Sequence, residues 1–542
     1  MKEHRVVIVG AGASGLSLAI ELGRLHREDS SEKKLNMTLL EASSVVGGRV
    51  RTIRTTSHNE ISPSKFLSLT PSHQEYWKKR YEKFKPWTIP LGAEFVHGNE
   101  NNHTIMDRIT RRQRQEPQLQ AQDSLENPKV HDWDMDLIVD FAEKRPNLTV
   151  VTDDNFFHWY DGSATNEEDL NDTAWPGYID KAKHIWDELL ALDGGDQYMT
   201  LKQYVNNKYN NLECDKAEEQ CVLSILSAVY ATTAGTTPDL LAVKELSRQE
   251  NLWPYGEKNF RLGRCYSELI DELLMELESL AHCPDITVDI VSAAPVKEIS
   301  MDSQFKCVKV VSCNQFCYEC DCVGVTAPLA MLKSDFLHFN KGCALTDEKQ
   351  QAIESINVLP GGKVHALLKW DVDLKKPRLI DYTSLQGIFI CPNEQFKQVS
   401  FRWNDTSILA TGFCVFREET HDEKEYIHLK ESFKMLIIRI LHRTVSPDIF
   451  FKDQNSNICL TFSAYDIYDW SKDQYIRGMY SSPSVNSGHI LGDIPPAQYL
   501  AEPISKVHFA GEHTHTETSA TVQSALESGI RVAHEIYQHL IK

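Results

Sequence analysis

Several features are missing from this sequence of 542 residues. No apolar run reaches the roughly 18 residues that a membrane-spanning helix needs, so we expect no membrane span. Basic residues are outnumbered, with 57 Lys and Arg against 77 Asp and Glu, and the net charge of -20 argues against nucleic acid as a partner. The few residues before the first apolar strand leave no room for a signal peptide. Because the 13 cysteines are odd in number, we expect reduced thiols and a cytoplasmic protein.

The cysteines do not follow a recognised metal-binding pattern. Cys313, Cys317, Cys320 and Cys322 are spaced C-x3-C-x2-C-x-C, whereas structural zinc sites use paired C-x2-C units. The last two cysteines instead alternate within residues 318–326, which is the pattern of one strand. We therefore predict no metal.

The N-terminal stretch has the pattern of a dinucleotide-binding turn. Val6 to Val9 form an apolar run typical of a buried parallel strand, and three spaced glycines follow it. Gly10 suits a tight turn, Gly12 allows backbone to approach a pyrophosphate, and Gly15 allows the next helix to pack closely. The start of that helix presents free N–H groups and a positive dipole end to phosphates. The predicted cofactor contacts here are Gly10, Gly12, Ala13, Ser14 and Gly15.

A second apolar run, Met37 to Leu40, predicts the next strand of the same unit. It ends at Glu41, followed by Ala42. A carboxylate at this position accepts hydrogen bonds from a ribose 2'-OH and repels a 2'-phosphate, which favours FAD or NAD over NADP. We expect Glu41 and Ala42 to lie against the cofactor.

The sequence continues with motifs in the order of one known family. Gly47-Gly48-Arg49 resembles the second nucleotide motif of flavin amine oxidases, where a glycine pair and an arginine lie along FAD. Leu91 to Gly98 is similar to the family segment that lies against the flavin. Thr326-Ala-Pro-Leu and Phe509-Ala-Gly-Glu resemble two further family motifs. The resemblance runs from Val6 to Ile536 and is strongest to spermine and acetylpolyamine oxidases.

This resemblance implies an α/β fold with a Rossmann-type FAD-binding domain and a discontinuous α+β substrate domain, the amine oxidase fold. We assign residues 1–95, 245–330 and 485–542 to the FAD-binding domain. Residues 96–244 and 331–484 are assigned to the substrate domain. Helical spacing of apolar residues between Trp175 and Tyr230 predicts the helical half of the substrate domain.

The resemblance also implies the remaining FAD contacts. The N-terminus of a helix at Thr521-Val522 is expected to face the N1/C2=O edge of the flavin and to stabilise the charge of its reduced form. Met479 stands where monoamine oxidases have the cysteine that bonds to the flavin, so we expect non-covalent FAD. The contacts implied in this way are Gly48, Arg49, Gly92, Ala93, Glu94, Val296, Gly511, Glu512, Thr521 and Val522.

Three residues match catalytic positions of the family. Lys363 corresponds to the lysine that holds a water beside flavin N5, and Lys369 on the same strand is a weaker competing assignment. His97 falls where polyamine oxidases carry a polar residue close to the substrate amine. Tyr480 corresponds to an aromatic wall that favours cations.

The predicted function is oxidation of a polyamine at a secondary amine, with O2 as acceptor and an aldehyde, an amine and hydrogen peroxide as products. Alternatives are a monoamine oxidase, an L-amino-acid oxidase using Arg402 or Arg417 for the substrate carboxylate, and a non-catalytic flavin-binding protein. The helical insertion and N-terminal helical domain of the histone lysine demethylases are absent from the sequence. We therefore do not expect a chromatin role.

Overall fold

The computed structural model of the chain describes a defined set of residue ranges. They are 3–29, 33–54, 79–97, 149–150, 157–159, 174–191, 198–210, 216–254, 259–261, 266–301, 304, 306–370, 388–392, 394–404, 406–416, 423–444, 450–451, 459–485 and 494–541. Arg417, one of the two arginines considered for a substrate carboxylate, lies outside the described residues.

The strands of the described residues form six sheets. In chain order they are β1 Glu3–Val9, β2 Lys34–Leu40, β3 Thr52–Arg54, β4 Thr88–Pro90, β5 Phe95–His97, β6 Thr149–Val150, β7 Phe157–Trp159, β8 Asn259–Arg261, β9 Ile286–Val291, β10 Val296–Met301, β11 Val308–Ser312, β12 Cys317–Cys320, β13 Cys322–Val325, β14 His338–Asn340, β15 Asn357–Val358, β16 Gly361–Trp370, β17 Ile388–Ile390, β18 Gln398–Trp403, β19 Ser407–Val415, β20 Phe450–Phe451, β21 Cys459–Asp469, β22 Ser481–Ser482 and β23 Val507–Phe509.

The α-helices of the described chain lie between these strands and at the C-terminal end. They are α1 Ala13–Glu28, α2 Ala174–Leu190, α3 Leu201–Asn210, α4 Lys216–Leu226, α5 Val243–Asn251, α6 Glu268–Leu280, α7 Leu329–Leu332, α8 Asp347–Ser355, α9 Glu423–Thr444, α10 Pro496–Ala501 and α11 Val522–Ile541. None of the helices in the described ranges is both long and apolar enough to cross a bilayer.

A five-stranded parallel sheet contains the N-terminal motif. Its order is β23-β13-β1-β2-β9, and every neighbouring pair is parallel. The apolar run Val6 to Val9 is buried because α1, α6 and α11 cover one face and the four-stranded sheet β12-β11-β10-β14 packs on the other. The predicted Rossmann-type arrangement is confirmed.

A second large sheet carries the predicted catalytic lysine. Its order is β20-β21-β16-β19-β18-β17-β7, and the long helix α9 packs its apolar side onto one face. Lys363 is the third residue of β16. Residues 361–368 of this strand are all buried, because α9 covers one face of the sheet and a smaller apolar cluster covers the other. Lys369 is exposed at the far end.

The single strand expected over residues 318–326 is wrong. The chain changes sheets at Asp321, whose Oδ2 accepts a hydrogen bond of 2.8 Å from Arg5 N. Cys320 ends β12 of the four-stranded sheet, and Cys322 begins β13 of the parallel sheet. Alternation in sequence does not reveal such a change, because both halves keep a buried side chain next to the turn.

The domain boundaries given above stay a prediction.

Helix α11 lies directly against α1 because Gly529 has no side chain. A Cβ atom added at this position would lie 2.3 Å from the Ser14 carbonyl oxygen and 2.9 Å from Leu18 N. By contrast, a Cβ atom on Gly177 in α2 meets nothing within 4 Å. The close approach of the two helices therefore depends on Gly529.

We predict that Gly529→Ala lowers the free energy of unfolding by about 1 to 3 kcal/mol, because the added methyl group pushes α11 away from α1. The matched change Gly177→Ala should raise it by about 0.5 to 1 kcal/mol, through helix propensity alone. Urea unfolding of both variants measures this difference. Equal stability of the two variants would contradict the close contact.

Candidate active site

A cleft of about 860 Å³ opens where the parallel strands β1, β2 and β13 end. Its walls come from the parallel sheet, from β16, and from helices α2 and α5. The carboxyl ends of parallel strands are where ligands bind in open α/β sheets, because helix N-termini and loops meet there. All of the predicted site residues except Gly15 line this cleft.

The N-terminus of α1 faces the cleft, and no side chain in the described part of the chain caps it. Gly12 is the N-cap residue, makes no side-chain capping bond, and is followed by no acidic residue in the first turn. Ala13 and Ser14 line the cleft, as does Gly10. This leaves N–H groups and a positive dipole end available to an anion such as a pyrophosphate.

Gly15 does not line the cleft, in contrast to Gly10, Gly12, Ala13 and Ser14. A Cβ atom on Gly15 would lie 2.1 Å from the Gly10 carbonyl oxygen. Gly15 therefore has the packing role expected of the third glycine. Its place among the cofactor contacts stays a prediction.

Glu41 is held at the end of β2 by backbone donors. Its Oε2 accepts a hydrogen bond of 2.9 Å from Ala11 N, and its Oε1 accepts one of 2.8 Å from Ser43 N. Burial raises the pKa of the carboxyl group, although these two bonds oppose the rise. Each carboxylate oxygen can accept more than one hydrogen bond, so both oxygens can still accept hydrogen bonds from ribose hydroxyls. Ala42 lines the cleft beside it.

Glu512 joins three distant segments at the floor of the cleft. Its carboxylate forms an ion pair of 3.1 Å with Arg49 and accepts hydrogen bonds from Ser481 and from Ala520 N at 3.1 Å. Burial alone raises the pKa of this carboxyl group, but the charge of Arg49 and the bonds from Ser481 outweigh burial and lower it. Glu512 is therefore ionised.

The other predicted cofactor residues also line the cleft. A Cβ atom on Gly92 would lie 1.7 Å from the Arg49 carbonyl oxygen. Because Gly92 has no side chain, its segment can pack directly on the backbone of the Gly-Gly-Arg motif. Thr521 caps α11, since its Oγ1 accepts a hydrogen bond of 3.1 Å from Ser524 N. The residues of this group are Gly48, Gly92, Ala93, Val296, Gly511, Thr521 and Val522.

Lys363 is paired with a second predicted residue. Its Nζ donates to Glu94 Oε2 at 2.7 Å, and the two side chains are only 10% and 8% exposed. The sequence predicts Glu94 as a cofactor contact and Lys363 as a catalytic residue, and only the structure shows that they contact each other. Both line the cleft, so this buried ion pair is one unit of the site.

Two buried histidines lie near these charged groups. Burial lowers the pKa of His365 to about 3, and the charge of Lys363 adds to the effect. Burial likewise lowers the pKa of His513 to about 4, against the opposing charge of Glu512. Both imidazoles are therefore neutral at pH 7. They add no positive charge to the site.

His97 and Tyr480 lie on the wall of the same cleft. The carbonyl oxygen of His97 accepts a hydrogen bond of 2.7 Å from Gln523 Nε2, which ties β5 to the start of α11. The hydroxyl of Tyr480 donates to the Thr233 carbonyl oxygen at 2.8 Å. The ring of Tyr480 packs on Gly235, where a Cβ atom would lie 2.6 Å from it. The orientation of Tyr480 is therefore fixed by the protein.

Several lining residues were not found from the sequence. Trp186 and Tyr230 stack with ring centroids 3.3 Å apart and planes within 12°. The sequence predicts only that both lie in the helical half of the substrate domain. Glu250 and Trp253 line the same cleft, and the charge of Glu250 contributes to raising the pKa of Tyr230. Glu250 is open to the cleft but surrounded by protein, and this burial raises the pKa of its own carboxyl group.

Comparison with known proteins gives the family. The family model described as flavin containing amine oxidoreductase matches residues 131–537, three quarters of the chain, and an NAD(P)-binding Rossmann-like domain matches residues 8–84. The chain belongs to the flavin-containing amine oxidoreductase family. Membership in this family, inferred above from motifs, is confirmed.

Individual relatives in this family differ in their described activities. A histone demethylase-like protein A of Aspergillus fumigatus is 26% identical over 270 residues, which are 47% of this chain and 23% of that protein. A putative L-amino-acid oxidase of Bacillus subtilis is 41% identical over 69 residues, 13% of each chain. The matched stretches thus span less than a quarter of these curated relatives. A putrescine oxidase variant with redesigned cofactor binding shares the fold, with a TM-score of 0.57, 16% identity and 99% coverage of both chains.

The family implies a flavin, and the cleft of this amine oxidoreductase family member fits FAD. The uncapped N-terminus of α1 suits the pyrophosphate, and Glu41 suits the ribose hydroxyls. The N-terminus of α11, with Val522 lining the cleft, suits the flavin ring.

We predict that stability falls as pH falls below about 6.5, because His365 and His513 must take up protons on unfolding. Each contributes a slope of about 1.4 kcal/mol per pH unit until its folded-state pKa is reached. His365→Gln should remove one such contribution. Urea unfolding between about pH 5 and 6.5 measures the slope.

The exposed His184 provides the control, since His184→Gln should leave the slope unchanged. An unchanged slope in His365→Gln would show that the imidazole of His365 is charged in the folded protein.

Proposed function

We propose that the chain is an FAD-dependent polyamine oxidase. The reaction oxidises a secondary amine to an imine, which water hydrolyses to an aldehyde and an amine, with O2 as the final acceptor and hydrogen peroxide as product. The observation that carries this proposal is a carboxylate, Glu250, in an aromatic part of the flavin-sized cleft. The expected cytoplasmic location stays a prediction.

Aromatic faces and a carboxylate together suit a substrate with several positive charges. Trp186, Tyr230 and Trp253 supply ring faces that attract ammonium groups, and Glu250 supplies the countercharge. Burial raises the pKa of Glu250, no positive charge of the described residues opposes this rise, and a bound ammonium group would do so. A neutral or anionic substrate would gain no electrostatic attraction of this kind from the wall.

Each of the three predicted catalytic residues has a role in this reaction. The imidazole of His97 accepts a hydrogen bond from a substrate ammonium group, and the ring of Tyr480 orients the amine carbon. Lys363 Nζ holds or passes a proton and is kept in position by Glu94. When bound, FAD supplies the hydride acceptor.

Non-covalent attachment of FAD is part of the proposal. Among the described residues that line the cleft there is no cysteine, and Met479 lies where a covalent cysteine would be expected. A thioether has no thiol to form the bond. Denatured protein should therefore release its flavin intact.

The L-amino-acid oxidase alternative lacks support from Arg402. Its Nη2 donates to the Thr88 carbonyl oxygen at 2.6 Å, and its guanidinium lies over Trp87 at 5.6 Å. Arg402 does not line the cleft. The non-catalytic alternative would be expected to lose Lys363 or Tyr480, and the chain retains both.

We predict that spermine or N-acetylspermine is oxidised with a higher kcat/KM than benzylamine, methylated lysine peptides or L-amino acids in a peroxide-release assay. Glu250→Gln should lower kcat/KM for spermine at least about tenfold, since a hydrogen bond to a charged group is worth about 1.5 to 3 kcal/mol. Its kcat/KM for benzylamine should not change. This selective loss tests the role of the carboxylate.

Glu245→Gln on the same helix serves as the control, because Glu245 pairs with Arg248 and does not line the cleft. A higher kcat/KM for benzylamine, a methylated lysine peptide or an L-amino acid than for either polyamine would overturn the polyamine assignment.

We also predict that Lys363→Met slows flavin turnover at least about tenfold, equivalent to roughly 1.4 kcal/mol of barrier. Rapid mixing measures flavin reduction and reoxidation, and flavin released on denaturation reports FAD content, which should be unchanged. Glu94→Gln should slow the same step, because it removes the charge that positions Lys363. The exposed Lys369→Met should have wild-type rates. Wild-type rates in Lys363→Met would remove this lysine from the mechanism.

A further inference from the structure

A second cluster of reactive side chains lies at the opposite end of the parallel sheet from the cleft. Cys322 is the first residue of β13, His508 is in the neighbouring strand β23, and His539 is in the last turn of α11. One ligand atom from each of these residues lies within 4.8 Å of the other two. None of the three lines the cleft.

The environment of His508 indicates a missing partner. The residue is 3% exposed, and its Nε2 is buried with no hydrogen-bond partner in the described chain. A buried polar atom without a partner is costly, so such atoms are rare in folded proteins. The other ring nitrogen, Nδ1, lies 3.0 Å from Glu535 Oε2, which leaves Nε2 as the atom available to a ligand.

Glu535 completes an arrangement typical of metal-binding histidines. A ligating histidine usually bonds through its second ring nitrogen to a carboxylate, which orients the ring and increases its basicity. Arg531 in turn holds Glu535 from the preceding turn of α11. The rings of His508 and His539 are 6.2 Å apart between centroids and inclined at 84°, so they do not stack on one another.

We propose that Cys322, His508 and His539 bind one Zn²⁺ ion, with water as the fourth ligand. One sulfur and two imidazole nitrogens match the ligand preference of zinc, whereas Mg²⁺ and Ca²⁺ prefer oxygen. Zinc bonds of about 2.0 to 2.3 Å put the ligand atoms of a tetrahedral site roughly 3.3 to 3.8 Å apart. The three ligand atoms lie within 4.8 Å of one another, so the distances between them must shorten by roughly 1 Å when zinc binds. The Cys322 thiol transfers its proton to solvent when the thiolate binds zinc.

The proposed ion stabilises the packing of α11. It connects the C-terminal turn of this helix to β13 and β23, while the N-terminus of the same helix borders the cleft. The exposed position of His539 gives the ion a route from solvent. This proposal does not depend on the amine substrate, since the two sites share no residue.

The test uses the full holoenzyme, stripped with a chelator and then titrated with Zn²⁺ or with Co²⁺ as a spectroscopic probe. We expect one ion per chain, a thiolate-to-cobalt charge-transfer band and a higher thermal midpoint with zinc. His539→Gln should weaken zinc binding at least tenfold. His534 is an exposed histidine on the same helix outside the proposed site, so His534→Gln should leave zinc affinity unchanged.

Cys322→Ala should abolish the charge-transfer band, whereas Cys320→Ala, which removes an equally buried thiol from the adjacent strand, should retain it. The band is read in folded protein, with FAD content as the check of folding. No zinc bound by the stripped holoenzyme, or equal affinity in His539→Gln and wild type, would each overturn the proposal.

Discussion

The arrangement of the cleft depends on one buried carboxylate. Glu512 is 4% exposed and connects Arg49 of the second nucleotide motif, Ser481 of β22 and the backbone of Ala520 before α11. Removing one partner of a buried ion pair costs about 3 to 5 kcal/mol, because a charge is left without compensation. The floor of the cleft is therefore held by electrostatics between segments that are far apart in sequence.

The same helix connects the two ends of the parallel sheet. The N-terminus of α11 lies beside Glu512 and lines the cleft, and its middle packs on α1 through Gly529. Its last turn carries His539, next to Cys322 and His508. A change in how this helix packs therefore affects both the cofactor region and the proposed zinc site.

The cleft separates two kinds of chemistry. Lys363 and Glu94 form a buried ion pair on the side of β16, and the proposed reaction assigns proton transfer to this pair. Glu250 and the stacked pair Trp186 and Tyr230 form an aromatic, acidic wall that suits a polycation. Because the family includes relatives described as acting on quite different amines, this wall carries the substrate proposal and the flavin motifs do not.

The sequence by itself determined the parts of the molecule whose geometry is local. Gly10, Gly12 and Glu41 belong to one β-α-β unit, so their spacing alone predicts the parallel strands, the uncapped helix and the carboxylate at the end of β2. Only the tertiary structure decided the pairing of Lys363 with Glu94, the change of sheet at Asp321, and the acidic aromatic wall. The two charged groups are 269 residues apart in sequence, and their contact depends on which strands are neighbours and in what register. Hydrophobic periodicity identifies a buried side of a helix or strand, but not which element or cleft that side faces.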